Sequence, residues 1–196
     1  MNTADIADNC KSEQKAEIKA ALSVAEKRER IYLIGFMVTG KSSVGKSMCC
    51  SSGRTLIDTD SLIEAKCGMK TELIFKEKGE GYFREVEREC LLETLKMKNI
   101  IISTGGGMSV YKDNLKIMLD NGFVAALTAK PEEIASRLAL SDTKRPLLSG
   151  EGGTEKIISL MEKRAYYYMK ADIIVNTSGR FISDIADEIL KKAGLK

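Results

Sequence analysis

Residues 35–42 read G-F-M-V-T-G-K-S, directly after the apolar stretch I-Y-L-I at 31–34. This is the G-x-x-x-x-G-K-[ST] pattern, and its chemistry is phosphate binding through backbone geometry. Gly35 and Gly40 permit a tight turn, so successive N–H groups can surround phosphate oxygens. A helix opening near Lys41 adds its positive dipole end. Lys41 is placed to reach the β- and γ-phosphates, and the Ser42 hydroxyl to bind Mg²⁺. The motif alone does not separate kinases from GTPases or ATPases. The N-K-x-D motif with which a GTPase reads its base is absent from the chain.

Three further groups of residues carry chemistry. Asp58-Thr59-Asp60 follows a short apolar run. On an extended segment, residues two apart share a side, so both carboxylates would sit at the carboxyl end of a strand, where open α/β sheets bind ligands. One carboxylate could support Mg²⁺ and the other accept a hydroxyl proton; the alternative is a helix N-cap by Asp58 or Asp60. Gly105, Gly106 and Gly107 follow I-I-I-S-T. They either expose N–H groups to a closely approaching ligand or form a plain strand-to-helix turn. Arg84, Arg137, Arg145 and Arg164 can pair with carboxylates or with a transferring phosphoryl group, or make surface ion pairs. The chain contains no histidine, so a general base must be Asp, Glu, Lys, Tyr or Cys.

The elements that would position these groups alternate. Strand-length apolar runs occur at Ile31–Phe36, Leu56–Ile57, Ile100–Ser103, Phe123–Thr128 and Ile173–Val175, with charged segments of helical spacing between them. Such runs predict a parallel sheet wrapped by helices. The clearest helix is expected over Glu80–Lys96. Phe83, Val86, Cys90, Leu91 and Leu95 form its apolar stripe, with Arg84, Glu87 and Arg88 near the other face. Met48, Cys49, Cys50, Ser51 and Ser52 are poor helix formers, so the helix after the phosphate loop must be held by packing. Pro131 suits the first turn of a helix over Pro131–Leu140. Residues 141–154, rich in Ser, Gly, Asp and Thr, read as a long mobile loop, a common form of active-site lid.

The chain has 196 residues, with 43% hydrophobic and 30% charged residues. That suits one α/β domain over residues 30–196, preceded by a polar extension over 1–29 expected to be helical or disordered. A net charge of +3 suits a small anionic ligand at least as well as a nucleic acid. No apolar run approaches the roughly 18 residues of a membrane span. Asp5, Asp8, Glu13 and Glu17 argue against an organelle transit peptide. The expectation is a cytoplasmic monomer with neither nucleic-acid nor membrane partner. The cysteines at 10, 49, 50, 67 and 90 form no C-x-x-C pair and read as reduced thiols.

Taken together, the motifs resemble the shikimate kinase family. G-F-M-x-x-G-K-S-S-V-G (35–45), I-D-T-D-x-x-I-E (57–64), G-E-G-Y-F-R-E-V-E (79–87), S-T-G-G-G (103–107) and R-P-L-L (145–148) appear in the family's order and at similar spacing. Arg164, Tyr168 and Asp172 complete the set. The resemblance spans about residues 30–195. It implies a P-loop, nucleoside-monophosphate-kinase-like α/β fold with a five-stranded parallel sheet and a lid. It also implies ATP- and Mg²⁺-dependent phosphorylation of the shikimate 3-hydroxyl, on the route to chorismate and the aromatic amino acids. Residue by residue, it implies that Asp60 binds the hydroxyl and acts as base, and that Arg84 and Arg164 hold the shikimate carboxylate. Gly105, Gly106 and Gly107 would line the substrate pocket. Met37, Val38, Thr39, Gly40, Lys41, Ser42 and Ser43 would hold ATP, together with Arg137, the lid residue Arg145, and Arg180. Ser42 would bind the metal, with Asp58 supporting it. Glu87, one turn after Arg84, could hold that arginine or be a solvated surface residue. Val38 and Thr39 stand where the family commonly carries glycine or another small residue. Two other readings are an active kinase for another small molecule and a kinase-like binding protein that has lost turnover.

Overall fold

The computed structural model describes residues 27–140 and 153–196. Five strands form one sheet: β1 (Arg30–Gly35), β2 (Thr55–Asp58), β3 (Ile100–Ser103), β4 (Phe123–Thr128) and β5 (Ile173–Asn176). Their order is β2-β3-β1-β4-β5, and every neighbouring pair is parallel. The expected strands are all present, shifted by a residue where they differ. β1 begins at Arg30 because the carbonyl of Glu29 already accepts from the Ile100 N–H (3.0 Å). The sheet thus engages one residue of the segment expected to be an extension. Residues 1–26 lie outside the described residues.

Alternation along each strand builds two cores, as the two-residue period of a strand requires. Tyr32, Ile34, Ile102, Val124 and Ala126 face one side; Ile31, Leu33, Ile101, Ala125 and Leu127 face the other. The second face is covered by α1 (Lys41–Ser52) and a terminal helix over Ile182–Lys192. Buried Val44 and Met48 of α1 pack there against Ile185, Ile189 and Leu190. This packing offsets the poor propensity of the M-C-C-S-S stretch, which is helical throughout. The Ser51 and Ser52 hydroxyls donate back to the carbonyls of Ser47 and Met48. Gly53, at φ 69, caps the end by donating to the Cys49 carbonyl.

The first face carries α3 (Thr71–Thr94), α4 (Asn114–Asn121), α5 (Pro131–Ala139) and α6 (Gly153–Tyr168). α2 (Thr59–Cys67) packs on α3 through Ile63, Ile74, Phe83, Val86 and Cys90. The expected helix over Glu80–Lys96 is longer at its start, because a first helical stretch from Thr71 joins it across a break at Gly79 (φ 79, ψ 170). Of the expected loop over 141–154, residues 153 and 154 belong to α6, which begins at Gly153. Residues 141–152, including Arg145, lie outside the described residues. The terminal helix Ile182–Lys192 is α7. No helix among the described residues is long and apolar enough to cross a membrane.

Register sets the place of the site. Asp58 at the end of β2 lies beside Ser103 at the end of β3, which lies beside Leu33 of β1. Gly35, on the other side, lies beside Leu127 of β4. A Cβ at Gly35 would stand 2.2 Å from the Leu127 carbonyl oxygen, so only glycine lets the chain leave the sheet here. The turn before α1, the start of α2 and the loop after β3 therefore converge at one edge of the sheet.

Candidate active site

The turn between β1 and α1 is closed by its own side chains. The Lys41 ammonium, almost fully buried, donates to the carbonyls of Gly35 (2.9 Å) and Phe36 (2.8 Å). The buried Thr39 hydroxyl also donates to the Phe36 carbonyl (2.8 Å). Gly40 has φ 96, which suits glycine, but Val38 has φ 53. A left-handed, β-branched residue stores about 1–3 kcal/mol of strain. Of the two residues that stand where the family commonly carries small ones, Val38 alone has a positive φ, and its carbonyl accepts from Arg137 Nη1 (3.2 Å). At such a φ the usual order of alanine above glycine reverses. Val38→Gly is expected to be more stable than Val38→Ala by about 1 kcal/mol, read from urea unfolding midpoints. A more stable alanine variant would show that the strain is not there.

Beside this turn lies a cluster of hard oxygens. Ser42 Oγ donates to Asp58 Oδ2 (2.9 Å) and lies 3.1 Å from Ser103 Oγ. Asp58 Oδ1 accepts from the N–H groups of Asp60 (3.1 Å) and Ser61 (3.3 Å), capping α2. Asp58 therefore fills the N-cap reading with one oxygen, while the other meets the Ser42 hydroxyl. Asp60, however, sits in the first turn of α2 rather than on an extended segment, so the two carboxylates are arranged by a helix start, not by strand alternation. The donor set fits Mg²⁺, which takes oxygen ligands, keeps several waters and needs only one or two protein groups beside phosphate.

A second cluster lies past Asp60. Arg84 and Glu87, expected on the outer face of α3, are buried, with 8% and 0% exposure. The helix has its ordinary apolar stripe against α2, but its neighbouring face is roofed by the glycine loop rather than by solvent. Arg84 Nη1 donates to Glu87 Oε2 (2.6 Å), while Nε and Nη2 donate to Glu80 Oε1 (3.2 and 3.1 Å). Burial pushes the Glu87 carboxyl up to about 7, against the opposing pull of Arg84. Arg164 reaches in from α6, its Nη1 donating to the Gly106 carbonyl (2.8 Å) and its guanidinium lying 5.5 Å above the Phe36 ring. Tyr168 Oη donates to the same carbonyl (3.0 Å), and burial pushes its phenol up to about 12.

Side chains crowd Gly105 and Gly107, whereas a Cβ at Gly106 would stand 3.3 Å from the Met37 backbone nitrogen. A Cβ at Gly105 would stand 2.5 Å from Glu87 Oε1 and 2.9 Å from Asp60 Oδ1; one at Gly107 would stand 2.5–2.8 Å from the Arg84 guanidinium. The Gly105 N–H is held by Thr59 Oγ1 (2.9 Å).

Two clefts result. One, of about 540 Å³, runs from the phosphate loop past Asp58 and Ser103 to Arg137, Thr177, Arg180 and Ile182. The other, of about 80 Å³, is walled by Phe75, Phe83, Arg84, Glu87, Arg164 and the glycines. It continues past Arg84, Gly107 and Arg164 into a wider opening of about 420 Å³. Met37, Asp60 and Gly106 line both of the first two clefts. Two clefts, each lined by cationic side chains, thus share one carboxylate at their junction.

Residues 37–193 match a family model described as Shikimate kinase. The chain belongs to the shikimate kinase family. A shikimate kinase of Persephonella marina is 41% identical over 160 residues, covering 82% of this chain and 96% of that protein. The structure of a shikimate kinase from Acinetobacter baumannii in complex with shikimate superposes with a TM-score of 0.80 at 32% identity, covering 85% of this chain and 93% of that one. A shikimate kinase structure from Bacteroides thetaiotaomicron gives a TM-score of 0.77, also at 32% identity, over 83% of this chain and 97% of that one.

Within this shikimate kinase fold, the residues singled out from the sequence fall into place as follows. Met37 to Ser43, Arg137 and Arg180 all line the larger cleft. Arg84, Arg164 and Gly105 to Gly107 line the smaller one. Arg145 lies outside the described residues. Arg137 and Arg180 are also ion-paired, with Glu133 (2.8 Å) and Glu188 (2.7 Å). Sequence reasoning missed Ser103, Thr59, Phe75, Phe83 as pocket wall, and the burial of Glu87. Register in parallel strands would have found Ser103. The i, i+3 spacing of Arg84 and Glu87 pointed to their pairing but not to the roof above them.

Proposed function

We propose that this chain transfers the γ-phosphoryl group of ATP to the 3-hydroxyl of shikimate, giving shikimate 3-phosphate and ADP, a step towards chorismate and the aromatic amino acids. The observation that carries this is the junction: the phosphate-loop cleft and the arginine-lined cleft meet at Asp60. A donor in one and an acceptor in the other would place the hydroxyl between the γ-phosphate and that carboxylate.

The roles follow from the chemistry on each side. Arg84 and Arg164 hold the acceptor's carboxylate, the bidentate partner that guanidinium groups favour. Asp60 takes the hydroxyl proton as the substrate oxygen bonds to phosphorus and the bond from phosphorus to the β-phosphate oxygen breaks. Loop N–H groups and Lys41 stabilise charge on the transferring group. The resemblance gives Arg145 a share in this. Ser42 and Asp58 would hold Mg²⁺, which when bound neutralises charge on the β- and γ-phosphate oxygens. Arg137 and Arg180 serve the nucleotide end of the larger cleft. A cytoplasmic monomer that uses neither nucleic acid nor membrane, with residues 30–196 as the kinase domain, completes the reading.

The deciding experiment is ADP formation from ATP and Mg²⁺ with and without shikimate. Shikimate-dependent ADP is expected. Turnover with gluconate or a nucleoside monophosphate and none with shikimate would overturn the proposal, and binding of both substrates without product would mark a protein that has lost turnover. Gly107→Ala tests the pocket separately. Its methyl displaces the Arg84 guanidinium, and charge-assisted hydrogen bonds are worth about 1.5–3 kcal/mol. The shikimate KM is therefore expected to rise roughly 10- to 100-fold with the ATP KM nearly unchanged. A shikimate KM equal to that of the wild type would contradict the placement of Arg84.

A further inference from the structure

We infer that binding of the carboxylate substrate draws a proton from solvent onto Glu87, making this buried carboxyl the group that ties substrate affinity to pH. The inference rests on the reading of Arg84 and Arg164 as the substrate-carboxylate site.

Glu87 is fully buried, and its two oxygens are unequal. Oε2 accepts from Arg84 Nη1, whereas Oε1 is buried and has no donor among the described residues. A carboxylate oxygen shut away from water without a donor is unfavourable, and a proton on that oxygen removes the charge. Oε1 also faces Asp60 Oδ1 across Gly105, both oxygens lying within 2.9 Å of the point where a Cβ of that glycine would stand.

The charged groups facing Glu87 come from three helices. Arg84, with Glu80 behind it, lies on the same helix, Asp60 comes from α2 and Arg164 from α6. Burial favours the neutral acid most strongly, Arg84 opposes it, Asp60 favours it and Arg164 opposes it, leaving the carboxyl at about 7. In the substrate-free site, then, the two guanidinium groups are what keep part of the population ionised. A carboxylate arriving on Arg84 and Arg164 neutralises those cations and expels water from the cleft. Both changes favour the neutral acid. Glu87, pushed up to about 7, is partly ionised near neutral pH before binding and more fully protonated after it, so a net fraction of a proton enters with the substrate. The sign follows: affinity is highest below pH 7 and falls as pH rises from about 7 towards the higher value of the complex, by at most about tenfold per pH unit.

Calorimetric titration of the full chain with shikimate, without nucleotide, near pH 7 tests this. Phosphate and Tris buffers differ in ionisation enthalpy, so the difference in heats reports proton uptake. Net proton uptake is expected, together with a Kd that rises above pH 7. In Glu87→Gln, which keeps an acceptor for Arg84, saturable binding is expected with no buffer dependence and a flat pH profile. Buffer-independent heats in the wild type, proton release, or unchanged uptake in Glu87→Gln would overturn the inference. Absence of saturable binding in the wild type would instead overturn the assignment of shikimate. If Glu87→Gln does not fold, the wild-type buffer comparison and pH series decide.

Discussion

Asp60→Asn is expected to lower kcat by about 10²–10⁴-fold, the usual share of a general base, while shikimate affinity measured by calorimetry stays within a few-fold. The substitution preserves shape and leaves an acceptor oxygen at the junction of the two clefts, where Asp60 Oδ1 packs against Gly105. What it removes is the capacity to take a proton. A chain without histidine has few other candidates: Asp58 is engaged by the α2 cap and by Ser42, and Glu87, across Gly105, is engaged with Arg84 and walled from the larger cleft. Turnover like that of the wild type would move the base elsewhere.

Lys41→Met is expected to cost about 10²–10³-fold in kcat at saturating substrates, the range for one preorganised charge donor. Methionine keeps most of the stem volume, so the packing of α1 survives. The ammonium now donates to the Gly35 and Phe36 carbonyls, and phosphate oxygens entering the loop would compete for those same protons. Loss of the cation removes charge stabilisation from the transition state and leaves those carbonyls to water. Stability should therefore fall by only about 1 kcal/mol. Steady-state kinetics and a thermal melt separate the two effects. A kcat within tenfold of the wild type would show that the loop N–H groups suffice.

The sequence carried the architecture well because strand runs and loop motifs are local signals. The two strands predicted to the residue, β3 and β4, are apolar runs ended by polar or turn residues on both sides. The α3 boundary failed for a local reason as well: the expected helix began at Glu80, whereas a break in φ/ψ at Gly79 joins it to an earlier helical stretch. The arginines and glycines were identified by type, but the side they face was not. Periodicity along a helix distinguishes stripes only by polarity, and Arg84 and Glu87 are polar residues under a roof built by a segment twenty residues later.

By itself, then, the sequence determined the order of elements, the phosphate loop and the set of charged groups that a carboxylate-bearing acceptor and a nucleotide would need. Spacing along the chain suffices for these. Tertiary structure alone decided that Asp58 serves both cap and Ser42, that Asp60 stands where two clefts join, that Val38 bears the strain of the loop, and that one oxygen of Glu87 is left without a donor among the described residues. Each of these depends on desolvation or on contacts between segments distant in sequence, and no local pattern encodes either.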